Sequence, residues 1–305
     1  ADESDASFLL LQPMMAVVTN IEPDHLSTYG GDFERLRESF IEFLHHLPFY
    51  GRAVVCVDDK EVRELLPRIS RPVITYGFHE TADLRATEFK QDGATCQFVA
   101  TLDGESLPIT LNMPGRHNVQ NALAAMGIAF ELGANPAAVQ AALAKFEGIG
   151  RRFSLRGELP AAGGSALLVD DYGHHPTEVA ATLAAARNSW PDKRLVTVFQ
   201  PHRYSRTQDL FEDFAAVLSE TDVLLLCEVF AAGEEPIAGA DGRSLAAAIR
   251  ARGQVNPVFI NELDALAPVL NGLLEDGDVV LTLGAGSIGA ASNALPQQLE
   301  GLKEA

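Results

Sequence analysis

The sequence has few cysteines, little positive charge and no long hydrophobic run, and each shortage removes a class of protein. Only three cysteines occur (Cys56, Cys96 and Cys227), far apart, each inside an apolar or strand-like run, and no CxxC is present. A disulfide framework or a zinc site needs closely spaced pairs, so buried, reduced thiols of a cytoplasmic protein are expected. Lys and Arg number 23 against 42 Asp and Glu, a formal net charge of −19. Nucleic acid or an anionic membrane would need a basic face, so neither is expected as a partner, and any anionic ligand must be held by a local basic cluster. No window approaches a transmembrane span, so no membrane insertion is expected, and no signal peptide is visible. A GxxxxGK[ST] phosphate loop is missing from the 305 residues. The opening "ADESDASFLLLQPMMAVVTN" lacks an initiator Met and reads like the middle of a domain, so an N-terminally truncated chain is expected.

What is present is a globular composition. Hydrophobic content of 47% with 21% charged residues can bury real cores, and the length favours two domains. Strand and helix alternate at first: "MAVVTN", "RAVVCVDD" and "PVITYG" read as strands, and Phe33, Leu36, Phe40, Phe43, Leu44 and Leu47 recur at helical spacing. From Ala82 to Met113 turn signals at "QDG" and "LDGE" suggest an antiparallel excursion, followed by two helices in "GRHNVQNALAAMGIAFELG" and "NPAAVQAALAKF". "EGIGRRFSLRGEL" is the expected junction, giving domains 1–149 and 150–305. Beyond it "ALLVDD", "RLVTVFQ", "DVLLLCEV", "PVFI" and "DVVLTLG" are continuous apolar runs between helices, the pattern of parallel strands covered on both faces. The second domain is therefore expected to be a Rossmann-like α/β unit.

Three segments fall at the carboxyl ends of these strands, where open α/β sheets bind ligands. "FQPHRYSRTQD" clusters His202, Arg203 and Arg206 in a strongly acidic chain, and two guanidinium forks there suggest a carboxylate or phosphate. "LLVDDYGHHPTEV" brings Asp170, Asp171, Tyr172, His174 and His175 to the matching edge. Adjacent histidines point in different directions, so polar recognition of a substrate fits this stretch better than a metal site, and His175 reads as structural. "GAGSIG" (Gly284 to Gly289) follows a strand, but only sixteen residues remain after it, too few for a dinucleotide fold, so a tight turn is expected. In the first domain "NIEPDHLSTYGGD" places an Asp–His pair in a loop, where His25 either helps hold a phosphate-bound metal or is simply capped. "GRHNVQN" and "GRRF" carry amides suited to a base and guanidinium suited to phosphate, while His45 and His46 end an amphipathic helix at the surface.

Taken in this order, "TNIEPDHLSTYGGDFE", "LPFYG", "MPGRHNVQNALAA", "GIGRRF", "VDDYGHHPTEV", "FQPHRYSRT" and "GAGS" resemble the Mur ligase family over essentially the whole chain. The resemblance implies the remainder of a central P-loop-type ATPase domain, a mixed sheet with helices, followed by a Rossmann-like C-terminal domain. It implies a cytoplasmic reaction of peptidoglycan synthesis: ATP, UDP-N-acetylmuramate and L-alanine are converted through an acyl phosphate, with Mg²⁺ neutralising phosphates, and a homodimer is possible. His25 would be a metal ligand; His117, Asn118 and Asn121 would hold the adenine; Arg152 would reach the ATP phosphates and Asp171 would help hold the nucleotide. Tyr172, His174, His202, Arg203 and Arg206 would bind the product or the incoming amino acid, with His174, Arg203 and Arg206 closest to the chemistry. Two departures stand out. The family's phosphate loop and UDP-binding domain are not in these residues, so the chain alone should be inactive. No lysine occurs between His25 and Gly51, so the carbamylated lysine of sister ligases has no counterpart there. The alternatives are a recycling ligase that adds a tripeptide to the same sugar nucleotide, an NAD-linked oxidoreductase, and a non-catalytic nucleotide-binding module.

Overall fold

Two six-stranded sheets, one in each half of the chain, grow from the apolar runs, and the chain divides between them at Glu147 and Gly148. The computed structural model describes residues 2–303.

In the first unit, β1 (Met15–Val18), β2 (Arg52–Cys56), β3 (Val73–Gly77) and β4 (Leu84–Asp92) pair in parallel, and β5 (Thr95–Leu102) and β6 (Glu105–Leu111) continue the sheet antiparallel. Strand β2, "RAVVC", lies between β1 and β3 and is buried on both faces from Ala53 to Cys56. Helix α1 (Phe33–His45) starts where the Asp32 side chain accepts the Glu34 N–H, and α2 (Lys60–Leu65) where Asp59 accepts that of Val62. The antiparallel excursion is covered by α3 (Arg116–Glu131), whose Val119, Leu123 and Met126 are buried in one cluster with Tyr76, Phe98 and Leu111. Helix α4 (Pro136–Lys145) is capped by Asn135 with Pro136 at its first position, as the sequence suggested.

The second unit contains β7 (Ser154–Ala161), β8 (Gly164–Asp171), α5 (Pro176–Ser189), β9 (Leu195–Phe199), α6 (Tyr204–Asp209), α7 (Phe211–Leu218), β10 (Val223–Cys227), α8 (Gly242–Arg252), β11 (Val258–Ile260), α9 (Leu266–Asn271), β12 (Val279–Leu283) and α10 (Ile288–Lys303). The sheet order is β11-β10-β9-β12-β8-β7, and every pairing is parallel except β7 with β8. All five expected strands form. They pair in parallel, and Ser154–Ala161, most of which falls in the expected junction, adds an antiparallel sixth strand. Gly157 and Pro160 disguise it, and both are tolerated because β7 is an edge strand with a bulge between Leu155 and Gly157. Two apolar cores, one on each face, enclose the sheet; Phe199, Phe214, Leu168 and Leu218 are each almost wholly buried, worth roughly 1.5–3 kcal/mol apiece.

Candidate active site

Strand register sets the site in the second unit. Asp171, Leu283 and Phe199 lie side by side across β8, β12 and β9, so the residues after them, Tyr172, Gly284 and Gln200, leave the sheet at one edge. The strands that carry the two His-bearing segments, β8 and β9, are therefore not paired; β12, which ends in the "GAGSIG" turn, runs between them.

The aspartates at the end of β8 are buried and committed. Asp170 accepts from Arg151 Nε at 3.1 Å, Arg156 Nη2 at 3.2 Å and Thr282 Oγ1 at 3.0 Å. Asp171 accepts the backbone N–H groups of Phe153 and Gly173, each at 2.7 Å, and burial nonetheless pushes its carboxyl above the usual range. Beyond them the chain gathers a cluster of rings. The ring centroids of Tyr172 and His174 are 5.4 Å apart, those of His174 and His202 5.8 Å, and His202 stacks on Phe230 at 5.5 Å. Arg206 is buried, its Nη1 3.5 Å from His202 Nδ1 and 3.4 Å from the His202 carbonyl. A guanidinium only donates, so Nδ1 of His202 is its lone-pair nitrogen. Burial first, then the neighbouring His174, Arg206 and Arg203, bring the His202 imidazole down to about 4, leaving it neutral near pH 7. Arg203 holds φ at 72°, in the left-handed region, with its Nη1 3.9 Å from Glu234 Oε1; Glu234 also accepts from the Ser205 hydroxyl at 2.6 Å.

Gln200 fixes the middle loop. Its Oε1 accepts the Ile288 N–H at 2.9 Å and its Nε2 donates to Ser287 Oγ at 3.1 Å. Gly284 has φ 138°, and a Cβ there would lie 2.6 Å from the Gln200 carbonyl oxygen. A cavity of about 390 Å³ opens at the same edge, lined in part by Gln200, Phe230, Glu228, Asn261 and Ser287.

In the first unit His25 also has a left-handed backbone (φ 55°), and its Nε2 is 3.4 Å from Asp24 Oδ2. On α3, His117 and Asn121 share a face at i, i+4 spacing, whereas Asn118 is buried with its Nδ2 donating to the Pro114 carbonyl at 2.7 Å.

Residues 1–129 match the Mur ligase middle domain and residues 151–286 the Mur ligase glutamate ligase domain. The chain belongs to the Mur ligase family. It is 61% identical over 302 residues to UDP-N-acetylmuramate–L-alanine ligase of Halorhodospira halophila, covering 99% of this chain and 61% of that protein. Against the enzyme of the same name from Methylococcus capsulatus it is 59% identical over 300 residues, covering 98% of this chain and 64% of the other. The chain thus spans a little over three fifths of the length of these relatives. Among solved structures, UDP-N-acetylmuramate–alanine ligase from Thermotoga maritima superposes with a TM-score of 0.79 at 26% identity, over 99% of this chain and 63% of that one. MurF ligase from the same organism, in complex with ADP, superposes with a TM-score of 0.72 at 21% identity, over 97% and 64%.

Within this Mur ligase fold, the second unit brings Tyr172, His174, His202, Arg203 and Arg206 to one sheet edge. Arg152 joins them, its guanidinium 5.5 Å from the Tyr172 ring centre and 3.4 Å from Glu178 Oε1. Asp171 sits beneath them, holding backbone amides. Sequence reasoning missed Gln200, Glu178, Glu234 and Phe230. Of these only Glu178 carried a local signal, the spacing of a helix-capping glutamate after Pro176. For Mg²⁺, His25 and Asp24 offer one imidazole and one carboxylate, short of the six oxygens the ion usually takes. Among the described residues no group of three or more His, Cys, Asp and Glu is arranged around a metal position. The pair can supply part of a coordination shell and does not compose one.

Proposed function

We propose that this chain is the nucleotide-binding and amino-acid-binding portion of an ATP-dependent ligase that joins L-alanine to UDP-N-acetylmuramate in peptidoglycan synthesis. The sugar-nucleotide carboxylate takes the γ-phosphate of ATP to give an acyl phosphate, and the amine of L-alanine displaces phosphate from the acyl carbon. The observation that carries this reading is the pairing of buried Arg206 with a neutral His202 opposite His174. Arg203 and Arg206 receive the alanine carboxylate, and Tyr172 and His174 border the amine. Two guanidiniums beside an uncharged imidazole disfavour an ammonium and favour the free amine, the form that attacks. His117, Asn118 and Asn121 hold the adenine, Arg152 reaches the phosphates, and Asp171 helps hold the nucleotide. Mg²⁺ accompanies ATP, with His25 as one contact among several, and the enzyme is cytoplasmic and homodimeric.

Calorimetric titration of the chain with L-alanine, glycine, L-serine and ADP tests this. L-alanine binding that disappears in Arg206→Ala is expected, with no phosphate release, since the 305 residues carry no GxxxxGK[ST] loop. Preference for a tripeptide over L-alanine would reassign the substrate to the recycling reaction. Nicotinamide binding would overturn the ligase reading.

A further inference from the structure

Glu178 contacts neither alanine nor ATP in the proposed ligation, yet its carboxylate meets His174, His175 and Arg152. Its Oε2 accepts the backbone N–H groups of His174 at 2.9 Å and His175 at 3.2 Å, and it lies 3.2 Å from His174 Nδ1. Its Oε1 faces Arg152 Nη1 at 3.4 Å. Burial works against ionisation of Glu178, but these donors outweigh it and hold the carboxyl below its ordinary value. The Tyr172 carbonyl oxygen also lies 3.2 Å from His174 Nδ1. Both of these oxygens are acceptors that carry no proton to give. Only a protonated Nδ1 satisfies them, so in the neutral ring the lone pair falls on Nε2.

We propose that Glu178 is a positioning residue that fixes the Nδ1–H tautomer of His174, making His174 Nε2 the acceptor of the amine proton in ligation. The inference rests on the amino-acid reading of this edge. The groups around His174 are Glu178 on α5, Arg152 from the segment before β7, Tyr172 after β8 and His202 after β9, with Arg203 and Arg206 behind His202. Among them Glu178 is the anion that touches the ring. His202 lies beside Arg206, to which its Nδ1 lone pair is turned, and is stacked on Phe230. In the step itself the alanine ammonium gives one proton to His174 Nε2, and its nitrogen forms the bond to the acyl carbon. The carbon–oxygen bond to phosphate breaks, phosphate leaves with that electron pair, and the second amine proton goes with it as hydrogen phosphate. The products are the amide, hydrogen phosphate and an imidazolium held by Glu178.

Glu178 also closes the capping box of α5, a purely structural role. Nitrogen-15 NMR of the histidine rings of the 305-residue chain separates the two roles, with His174→Gln assigning the resonance. Wild type is expected to show His174 as the Nδ1–H tautomer, with an Nε2 signal that moves on adding L-alanine. Glu178→Gln keeps a cap acceptor and should keep its circular dichroism, but should shift His174 toward a mixture of tautomers. An Nε2–H tautomer in wild type, or no change in Glu178→Gln, overturns the positioning role. An Nδ1–H tautomer whose Nε2 signal stays still while the Arg203 and Arg206 side-chain signals move with L-alanine overturns the proton-acceptor role and leaves the amino-acid reading intact. No response of any of these groups to L-alanine defeats that reading, and the amine step with it.

Discussion

Asp170, with no exposed surface, lies 3.1 Å from the Nε of Arg151. The same guanidinium reaches the Gly284 carbonyl through Nη2 at 2.6 Å, so one side chain ties the end of β8 to the loop after β12. The left-handed backbone at Arg151 (φ 61°) aims it there, a strain of order 1–3 kcal/mol retained because the bridge over-determines it.

Arg151→Ala should accordingly destabilise the chain by about 3 kcal/mol. That is the lower end of the cost when a buried charge loses a partner, because Arg156 still meets Asp170 at 3.2 Å. Urea unfolding followed by circular dichroism measures this. A change under about 1 kcal/mol would mean that Arg156 alone satisfies the carboxylate.

Gln200 and the Ile288 N–H make the second tie. Gln200→Ala leaves that buried amide at the start of α10 without its acceptor, which should cost about 1–3 kcal/mol. It also frees Ser287, so the loop after β12 should show faster amide exchange than the rest of the sheet edge. Hydrogen exchange by mass spectrometry reads both effects in one experiment.

These ties also mark where the sequence stopped being legible. The strands β8, β9, β10, β11 and β12 were readable because burial on both faces imposes unbroken apolar runs. Their spatial order was not, since parallel neighbours are chosen by crossover connections and no local pattern announces them. "GAGSIG" reads as a plain turn, which it is, without any sign that the strand it ends, β12, runs between β8 and β9. Arg203 and Arg206 were legible because two cations stand out in a chain of net charge −19. Glu178 and Glu234 were hidden for the converse reason: among 42 acidic residues nothing distinguishes a carboxylate that organises a site. Asn118, an amide suited to a base, also donates to the carbonyl of Pro114, a tie that no local pattern announces.

His202 makes the stability depend on pH in a defined window. Its folded-state value of about 4 lies below the 6.5 of an unperturbed imidazole, so between these the unfolded chain binds a proton that the folded chain refuses. Stability therefore falls as pH drops from about 6.5 toward 4 and gains nothing further from this group above 6.5. His202→Gln should flatten the difference in urea midpoint between about pH 6.5 and about pH 4.5 relative to wild type. A variant with the same slope as wild type would show that His202 protonates normally, and that the site around it is wetter than its contacts imply.

Arg203 and Arg206 should separate stability from binding. The Arg203 side chain is 46% exposed and its nearest anion is 3.9 Å away, so removing it should change stability by under about 0.5 kcal/mol from lost contacts. Its backbone at φ 72° is a conformation that a side chain opposes and glycine does not. Arg203→Gly should therefore be more stable than Arg203→Ala by about 1 kcal/mol, and at least as stable as wild type. Both should lose about tenfold or more in L-alanine affinity, since a charged hydrogen bond contributes roughly 1.5–3 kcal/mol. Arg206 is buried against His202, and Arg206→Ala should lose both affinity and stability. Thermal unfolding set beside calorimetry on the same three variants distinguishes the cases. A glycine at position 203 that stabilises while abolishing binding would identify a backbone strained to aim a ligand-holding guanidinium, whereas equal stability of the glycine and alanine variants would refute the strain.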